Sequence, residues 1–140
     1  MMSPKAFLNR AFYINQRINS KVEQISSLNA LANKVTTTYS QAPASGSHNN
    51  HKMEDIIIKI IAMEEDINND IDELLDIKAE IIGAINAVEN EEHRTILEKR
   101  YLSLESWEDI AADMNYGVRN VFILHGKALK SFAKAMETLQ

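Results

Sequence analysis

Two long segments of this chain repeat apolar side chains every three or four residues, and this periodicity constrains the fold more than any other feature. Residues spaced in this way lie on one face of an α-helix. Neither helix can bury its stripe alone, so the two are predicted to pair as a long antiparallel, coiled-coil-like hairpin. The stripes contain Phe7, Ala11, Ile14, Ile18, Val22, Ile25, Leu28, Ala32 and Val35, and then Ile56, Ile60, Met63, Ile67, Ile71, Leu74, Ile77, Ile81, Ile85 and Val88.

The composition supports an all-α fold. Apolar residues make up 45% of the 140 residues, and the chain has only 4 glycines, 2 prolines and no strand-like alternation. The absence of cysteine excludes a disulfide framework and thiolate metal sites. The apolar runs fall far short of the roughly 20 residues of a membrane span, and the N-terminus lacks the features of a signal peptide. We therefore expect a cytoplasmic protein with no membrane association.

Local signals divide the chain into segments. Ser3 followed by Pro4 predicts a helix start, because a serine hydroxyl caps the first turn and proline lacks an N–H that would be unpaired there. Residues 36–51 (TTTYSQAPASGSHNNH) have a composition that predicts a disordered connector. The helical hairpin with this connector is predicted to occupy residues 1–90, and a second domain is predicted over residues 91–140.

Charge is distributed unevenly along the chain, whose net charge is −5. Residues 1–51 carry five basic and one acidic side chain, residues 52–93 carry three and thirteen, and residues 94–140 carry seven and six. The acidic middle segment is predicted to repel nucleic acid, whereas the two ends are not.

The acidic side chains of the second stripe allow two interpretations. Glu73 and Asp76 have the spacing that all-helical nucleotide pyrophosphatases use to hold Mg²⁺ against phosphates. Such enzymes also need a Glu-x-x-Glu pair on a facing helix, and the first stripe offers Glu23 as its only acid. A solvated outer face is therefore the favoured interpretation for Glu64, Glu65, Asp66, Asp70, Asp72, Glu73, Asp76 and Glu80.

The histidines do not predict a metal site. His48 and His51 fall in the predicted connector, and His93 and His125 are isolated in the sequence. The chain also lacks a nucleophile triad and a phosphate-binding glycine loop. We therefore expect no cofactor, no metal and no enzymatic activity.

The C-terminal segment predicts a compact unit of shorter helices. Residues 91–102 have helical apolar spacing, and Ser106 followed by Asp109 predicts a capped start for the next helix. Residues 115–117 (Asn-Tyr-Gly) predict a turn, because asparagine and glycine adopt left-handed conformations at the lowest cost, and a last helix follows from about Val118. The side chains expected to be buried are Ile96, Leu97, Tyr101, Leu102, Trp107, Ile110, Ala111, Met114, Val121, Leu124, Ala128, Leu129 and Phe132.

Four short motifs in this segment, LEKRYL (97–102), WEDIA (107–111), MNYG (114–117) and GKAL (126–129), resemble the DNA-binding region 4 of bacterial sigma factors. Over residues 92–133 the resemblance implies a helix-turn-helix with a supporting and a recognition helix. The whole chain is similar to small phage and prophage proteins of Gram-positive bacteria, near the ArpU and RinA late-transcription regulators. That similarity implies a protein that acts in the cytoplasm of a bacterial host cell.

The resemblance also implies which residues face DNA. Arg119 and Asn120 suit hydrogen bonds to guanine and adenine, and three lysines further along the helix are placed to follow phosphates. Phe122 and Ile123 depart from the sigma pattern, which is richer in arginine and glutamate. The alternative is that Phe122 is buried against the hairpin and Ile123 lies in a dimer interface. The residues implied to bind DNA are Val118, Arg119, Asn120, Phe122, Ile123, Lys127, Lys130 and Lys134.

Two functions are compatible with these observations. In the first, the protein is a phage or prophage transcription regulator that binds double-stranded DNA through the sigma-like helix-turn-helix and oligomerises, or binds a partner such as RNA polymerase, through the hairpin. In the alternative, it is a non-enzymatic interaction protein, such as a DNA-packaging adaptor or an RNA-polymerase-binding factor, with weak or no direct DNA contact. A homo-oligomer is expected, because dimerisation doubles the phosphate contacts of a modestly charged domain.

Overall fold

The computed structural model describes residues 2–41 and 46–139, and the regular elements within them are all α-helices. The prediction of an all-α fold is confirmed. The helices are α1 (Pro4–Leu8), α2 (Arg10–Gln41), α3 (Gly46–Asn86), α4 (Glu91–Tyr101), α5 (Trp107–Met114) and α6 (Val118–Leu139). Across these described residues, no helix combines the length and the apolar character of a membrane span.

The chain forms two compact units. The hairpin unit is Asn15–Glu73, and the core unit combines Met1–Ile14 with Leu74–Gln140. This division differs from the predicted boundary at residue 90, because the start of the chain and the last part of α3 carry buried apolar side chains that belong to the core unit. Those side chains are Leu8, Ala11, Ile14, Ile77, Ile81, Ala84, Ile85 and Val88.

Within the hairpin unit, parts of α2 and α3 pair in antiparallel orientation. The Arg17 guanidinium lies 3.0 Å from the Asp70 carboxylate, and the Lys21 Nζ lies 2.7 Å from the same group. Further along, Leu28 of α2 and Met63 of α3 line a common groove. Residue numbers therefore rise along α2 as they fall along α3.

The seam between these two helices differs from the predicted stripes at one layer. The side chains that are least exposed on each helix follow alternating steps of three and four residues, and these steps include Lys21 and Asp70. Val22 and Ile71, which were predicted at this layer, are 51% and 40% exposed, whereas Asp70 is only 7% exposed. The predicted burial of Val22 and Ile71 and the predicted solvation of Asp70 are therefore wrong.

The physical reason is that alternating steps of three and four keep side chains at one helix–helix seam, even where the side chain is polar. A buried carboxylate is tolerated when a cation compensates it. Hydrogen bonds from Lys21, and then from Arg17, lower the pKa of Asp70 below its ordinary value of 3.8. Lys21 and Asp70 thus form a polar layer at the seam in which the charges are paired.

The core unit has a hydrophobic core that is surrounded by several helices. Helices α4 and α5 pack on α6 and on each other, and α1 also contacts α6. Phe132 is completely buried, with its ring centroid 6.0 Å from that of Phe7. Of the side chains predicted to be buried here, Leu102, Trp107, Met114 and Leu129 are only partly covered. The buried ones are Ile96, Leu97, Tyr101, Ile110, Ala111, Val121, Leu124, Ala128 and Phe132.

The predicted helix starts are confirmed at two serines. The Ser3 hydroxyl accepts a hydrogen bond from the Ala6 N–H at 3.1 Å, and the Ser106 hydroxyl accepts one from the Asp109 N–H at 3.1 Å. Each bond satisfies an N–H that has no partner inside its helix. The first helix is interrupted at Asn9, which separates α1 from α2, so the predicted single helix is two.

The predicted turn after α5 is present and depends on asparagine. Asn115 has the left-handed values φ 59° and ψ 40°. Among the described residues no glycine has a positive φ, so Gly117 does not contribute in the expected way. Leu104, between α4 and α5, has a φ of 56°, a conformation that the sequence did not predict.

The predicted connector is shorter than its composition suggested. Helix α2 continues to Gln41 and α3 begins at Gly46, so residues 36–41 and 46–51 are helical where disorder was expected. Residues 42–45 of the predicted connector lie outside the described residues. Extending an existing helix adds one hydrogen bond for each residue fixed, an effect that composition alone does not capture.

Candidate nucleic-acid interface

Helix α6 is positioned by the turn before it and by the apolar side that it buries. The Asn115 N–H bonds to the Ala112 carbonyl at 3.4 Å, and the Tyr116 N–H bonds to the Ala111 carbonyl at 3.0 Å, which ends α5. Because one side of α6 packs into the core unit, the opposite side faces outward. The buried side consists of Val121, Leu124, His125, Ala128 and Phe132.

The eight residues implied by the sigma-factor resemblance all lie on this outward side, which we call the outward face of α6. Val118 is 38% exposed, and Phe122 and Ile123 are each 50% exposed. The alternative that Phe122 is buried against the hairpin is therefore wrong. The remaining five are exposed as well and are polar: Arg119, Asn120, Lys127, Lys130 and Lys134.

The cations of the outward face form a single line along α6. Since successive residues are separated by about 100° around the axis and 1.5 Å along it, the four cations fall within an arc of about 80° and span about 22 Å. Glu137, near the end of α6, is the only acid of the helix. The four cations are Arg119, Lys127, Lys130 and Lys134.

What distinguishes these four cations is their alignment along one helix, since other exposed lysines such as Lys34 and Lys59 also make no ion pair among the described residues. None of the four makes an ion pair within the part of the chain that the structure describes. By contrast, Arg10 binds Glu80 at 2.7 Å, and Lys99 lies 3.3 Å from Asp113. Arg94 donates to a backbone carbonyl at 2.7 Å. The outward face therefore presents positive charge that remains available to a partner.

An aromatic cluster supports the N-terminal half of this face from below. The ring centroid of Trp107 lies 5.2 Å from that of Phe122 and 4.7 Å from that of His125, both in edge-on geometry. The Arg100 guanidinium covers the Trp107 ring at 4.2 Å. The Tyr101 hydroxyl and the His125 Nε2 are hydrogen-bonded at 2.6 Å. The cluster therefore fixes Phe122 against a braced indole ring.

Both titratable groups of this cluster are held in their neutral forms. Burial, followed by the nearby cations Lys5 and Arg100, lowers the pKa of His125 to about 4. Burial raises the pKa of Tyr101 to about 12. Desolvation disfavours a charge on either side chain. The pair is therefore a structural hydrogen bond at neutral pH.

Sequence reasoning missed this cluster because its members are far apart in the chain. His125 was expected to be isolated, yet it contacts Tyr101 and Trp107. The Tyr116 hydroxyl, in the turn before α6, donates a hydrogen bond to the Glu92 carboxylate, and that bond raises the pKa of Tyr116. No periodic signal links these positions, although a tyrosine, a tryptophan and a histidine in adjoining helices are typical of a mixed aromatic core.

Two of the polar groups considered for catalysis or metal binding make structural contacts. Glu73, one of the two acids considered for Mg²⁺, accepts a hydrogen bond from Arg17 at 2.9 Å. His93 Nδ1 lies 2.7 Å from the Ser131 hydroxyl. Within residues 2–41 and 46–139, no three histidine or acidic side chains gather where they could hold a metal ion.

Comparison with known proteins gives one family match. The family described as "Protein of unknown function (DUF1492)" matches residues 34–133, which is more than half of the chain and includes α3, α4, α5 and most of α6. No curated protein and no solved structure matches the chain.

Proposed function

We propose that this chain, which belongs to the DUF1492 family, is a phage- or prophage-encoded transcription regulator that binds double-stranded DNA. In this proposal α5 supports α6, and α6 enters the major groove as the recognition helix of a sigma-like helix-turn-helix. The observation that carries the proposal is the line of unpaired cations on the outward face of α6. Such a line is complementary to a phosphate backbone and has no partner among the described residues.

The two ends of the outward face suit different contacts. Arg119 and Asn120 lie in the first turn of α6, where a recognition helix meets base edges, and their side chains fit guanine and adenine respectively. Three lysines follow along α6, where the groove wall presents phosphates. The lysines are Lys127, Lys130 and Lys134.

Self-association through the hairpin unit is part of the proposal. Ile57, Ile58 and Ile61 of α3 are 46%, 64% and 52% exposed, although they are large and apolar. A second copy of the chain would cover them and would double the number of cations offered to DNA. The proposed assembly is therefore a homo-oligomer that acts in the bacterial cytoplasm, with RNA polymerase as a further partner.

The direct test is a binding titration with promoter fragments from the protein's own genome at about 50 mM salt. The Arg119→Ala variant is expected to lose about 1–3 kcal/mol of binding free energy on the target fragment and little on random duplex, because Arg119 contacts base edges. Lys34→Ala removes another exposed cation, from the hairpin unit, and serves as the matched control. Equal losses for Arg119→Ala on both duplexes would contradict base recognition by this residue.

Each lysine replacement on α6 has a different signature. Lys127→Ala, Lys130→Ala and Lys134→Ala should weaken binding to all sequences alike and reduce the salt dependence by about one unit of slope per lost phosphate contact. If the wild-type protein binds no DNA duplex at low salt, the proposed function is wrong.

A second candidate function is a protein-interaction module, and the exposure of Phe122 and Ile123 favours it. In that case the outward face of α6 binds RNA polymerase or a DNA-packaging protein without DNA contact. Retention of RNA polymerase on the immobilised wild-type protein, together with loss of retention for Phe122→Ala and an absence of DNA binding, would establish this alternative.

A further inference from the structure

The outward face of α6 carries apolar side chains next to its hydrogen-bond donors. Phe122 and Ile123 are half exposed, and they follow Arg119 and Asn120 after the buried Val121. We propose that Phe122 and Ile123 bind the 5-methyl groups of thymine in the major groove, so that the target of this protein contains A·T pairs at defined positions. This inference rests on the proposed function and assigns part of the DNA sequence specificity to these two residues.

The position of Phe122 is fixed before any ligand binds. Its ring packs against Trp107 with the centroids 5.2 Å apart, and Trp107 is also in contact with the Arg100 guanidinium and His125. A braced aromatic ring loses little side-chain entropy on binding. Ile123 is β-branched and has one strongly preferred rotamer in a helix. Both side chains therefore present apolar surface in a defined place.

The chemistry of thymine fits these two side chains. In the major groove thymine presents one carbonyl acceptor and the 5-methyl group, and apolar side chains contact that methyl. Adenine, on the other strand of the same pair, presents a donor and an acceptor that an asparagine bonds in bidentate fashion. Asn120 and Ile123 are three residues apart on α6 and are therefore neighbours on its surface, so a single A·T step can engage both kinds of contact.

Charge favours DNA over a protein as the occupant of this surface. The apolar side chains stand beside the line of four unpaired cations, and the only acid of α6 is Glu137, near its other end. A second copy bound through the same face would bring like charges together. DNA suits both kinds of side chain, because its phosphates pair with the cations and the thymine methyl group contacts the apolar side chains.

The test uses one promoter fragment from the protein's own genome, amplified either with dTTP or with dUTP. Uracil pairs as thymine does and lacks only the 5-methyl group, so the phosphates and the hydrogen-bonding edges are retained. The wild-type protein should bind the uracil fragment about fourfold more weakly for each contacted methyl, a factor that corresponds to about 0.8 kcal/mol per buried methylene-sized group.

Variants identify the residues responsible. The Phe122→Ala/Ile123→Ala double variant should bind the two fragments with equal affinity, and circular dichroism should show that its helices are intact. Ile82→Ala is the matched control, because Ile82 is 45% exposed on α3 of the core unit, outside α6. The control should retain the full difference between the thymine and uracil fragments.

Three outcomes would overturn the inference, and they are distinguishable. Equal affinity of the wild type for both fragments, with promoter still preferred over random duplex, removes thymine recognition and leaves the proposed function intact. A difference that persists in the double variant assigns the methyl contact to other residues. Failure to bind any duplex removes the proposed function and this inference together, and loss of RNA polymerase retention in the double variant would then identify the face as a protein-binding surface.

Discussion

The hairpin unit and the core unit are both built from amphipathic helices, yet they bury very different sets of side chains. Among the residues whose exposure the structure describes, the hairpin unit buries Ile56 and Asp70, whereas the core unit buries side chains from all six helices, including the first part of α2 and the last part of α3. Two paired helices can bury only a single row of side chains between them, whereas several packed helices surround a three-dimensional hydrophobic core. A long apolar stripe therefore identifies a helix without locating the centre of the fold.

The seam of the hairpin unit and the outward face of α6 also use their cations differently. In the hairpin unit Arg17 and Lys21 are both bound to Asp70 at the seam. In the core unit the four cations of α6 point away from the core and have no acidic partner among the described residues. A cation at a seam fixes the alignment of two helices, whereas a line of free cations is available to a ligand.

The largest expected effect separates the interior of the core unit from its surface. Phe132→Ala should lower the free energy of unfolding by about 3–5 kcal/mol, because it removes a fully buried ring and leaves a cavity beside Phe7. Phe122→Ala removes the same side chain at a half-exposed position and should cost only about 1 kcal/mol, from its lost contact with Trp107. Urea unfolding followed by the fluorescence of Trp107, the only tryptophan, measures both. If both variants lost the same free energy of unfolding, the assignment of Phe132 to the buried side of α6 and of Phe122 to its outward face would be contradicted.

The next effect is a pH dependence confined to the core unit. His125 has an ordinary pKa of 6.5 and a folded pKa of about 4, so the unfolded chain takes up a proton first as the pH falls. Stability should therefore rise with pH between about 4 and 6.5, and acidification across this window should remove about 3 kcal/mol.

Trp107 reports this transition because it contacts His125. His125→Gln keeps a group that can bond to Tyr101 and should flatten the pH dependence of urea unfolding in this window. Should the variant and the wild type show the same slope between pH 4 and 6.5, carboxylates rather than His125 would be responsible.

The third effect tests the polar layer of the hairpin unit. Lys21→Ala should lower the free energy of unfolding by about 2 kcal/mol, less than for a fully isolated buried pair, because Arg17 still binds Asp70. The Lys21→Leu/Asp70→Leu double variant should recover or exceed wild-type stability and lose the unique alignment of the helices. Circular dichroism in urea gives the stability, and sedimentation shows whether one species or several form.

The pH window of this layer differs from that of His125. The pKa of Asp70 is lowered, so its contribution to stability is present above about its ordinary value of 3.8 and is lost as the pH falls through the lower, folded value. A Lys21→Ala variant as stable as the wild type would show that the layer contributes nothing to folding.

The features that the sequence predicted correctly depend on neighbouring residues. Ser106 caps α5 through an atom three residues away, and Asn115 ends α5 through its own backbone conformation. Helix periodicity is equally local, so the outward orientation of Arg119 and Lys127 on α6 follows once the buried side is known. Both the helices of the C-terminal segment and the composition of the candidate surface could therefore be anticipated.

The features that the sequence did not predict depend on distant residues. Lys21 and Asp70 occupy a seam because each compensates the other across 49 positions of the chain. Tyr101 and His125 form a buried hydrogen bond across 24 positions. Nothing in the local pattern distinguishes such a residue from a solvated one, since burial of a polar group depends on the presence of its partner.

The smallest effect on stability tests whether the thin core of the hairpin unit is completed by a second copy. Ile58 and Ile61 are three residues apart on α3 and lie away from the seam, so they share an outer surface. Glu54 and Glu65 lie one turn before Ile58 and one turn after Ile61 on the same surface, whereas Lys59 lines the groove shared with α2. Covering this surface would stabilise the assembly without changing the isolated chain.

The Ile58→Ser/Ile61→Ser variant should therefore unfold within about 0.5 kcal/mol of the wild type at low concentration, because both side chains are more than half exposed. At high concentration the wild type should sediment as a dimer and the variant as a monomer. Leu75→Ser is the matched control, since Leu75 is 61% exposed on the same helix but belongs to the core unit. A dimer that persists in the double variant would place self-association elsewhere, and the exposed isoleucines of α3 would then have no role in it.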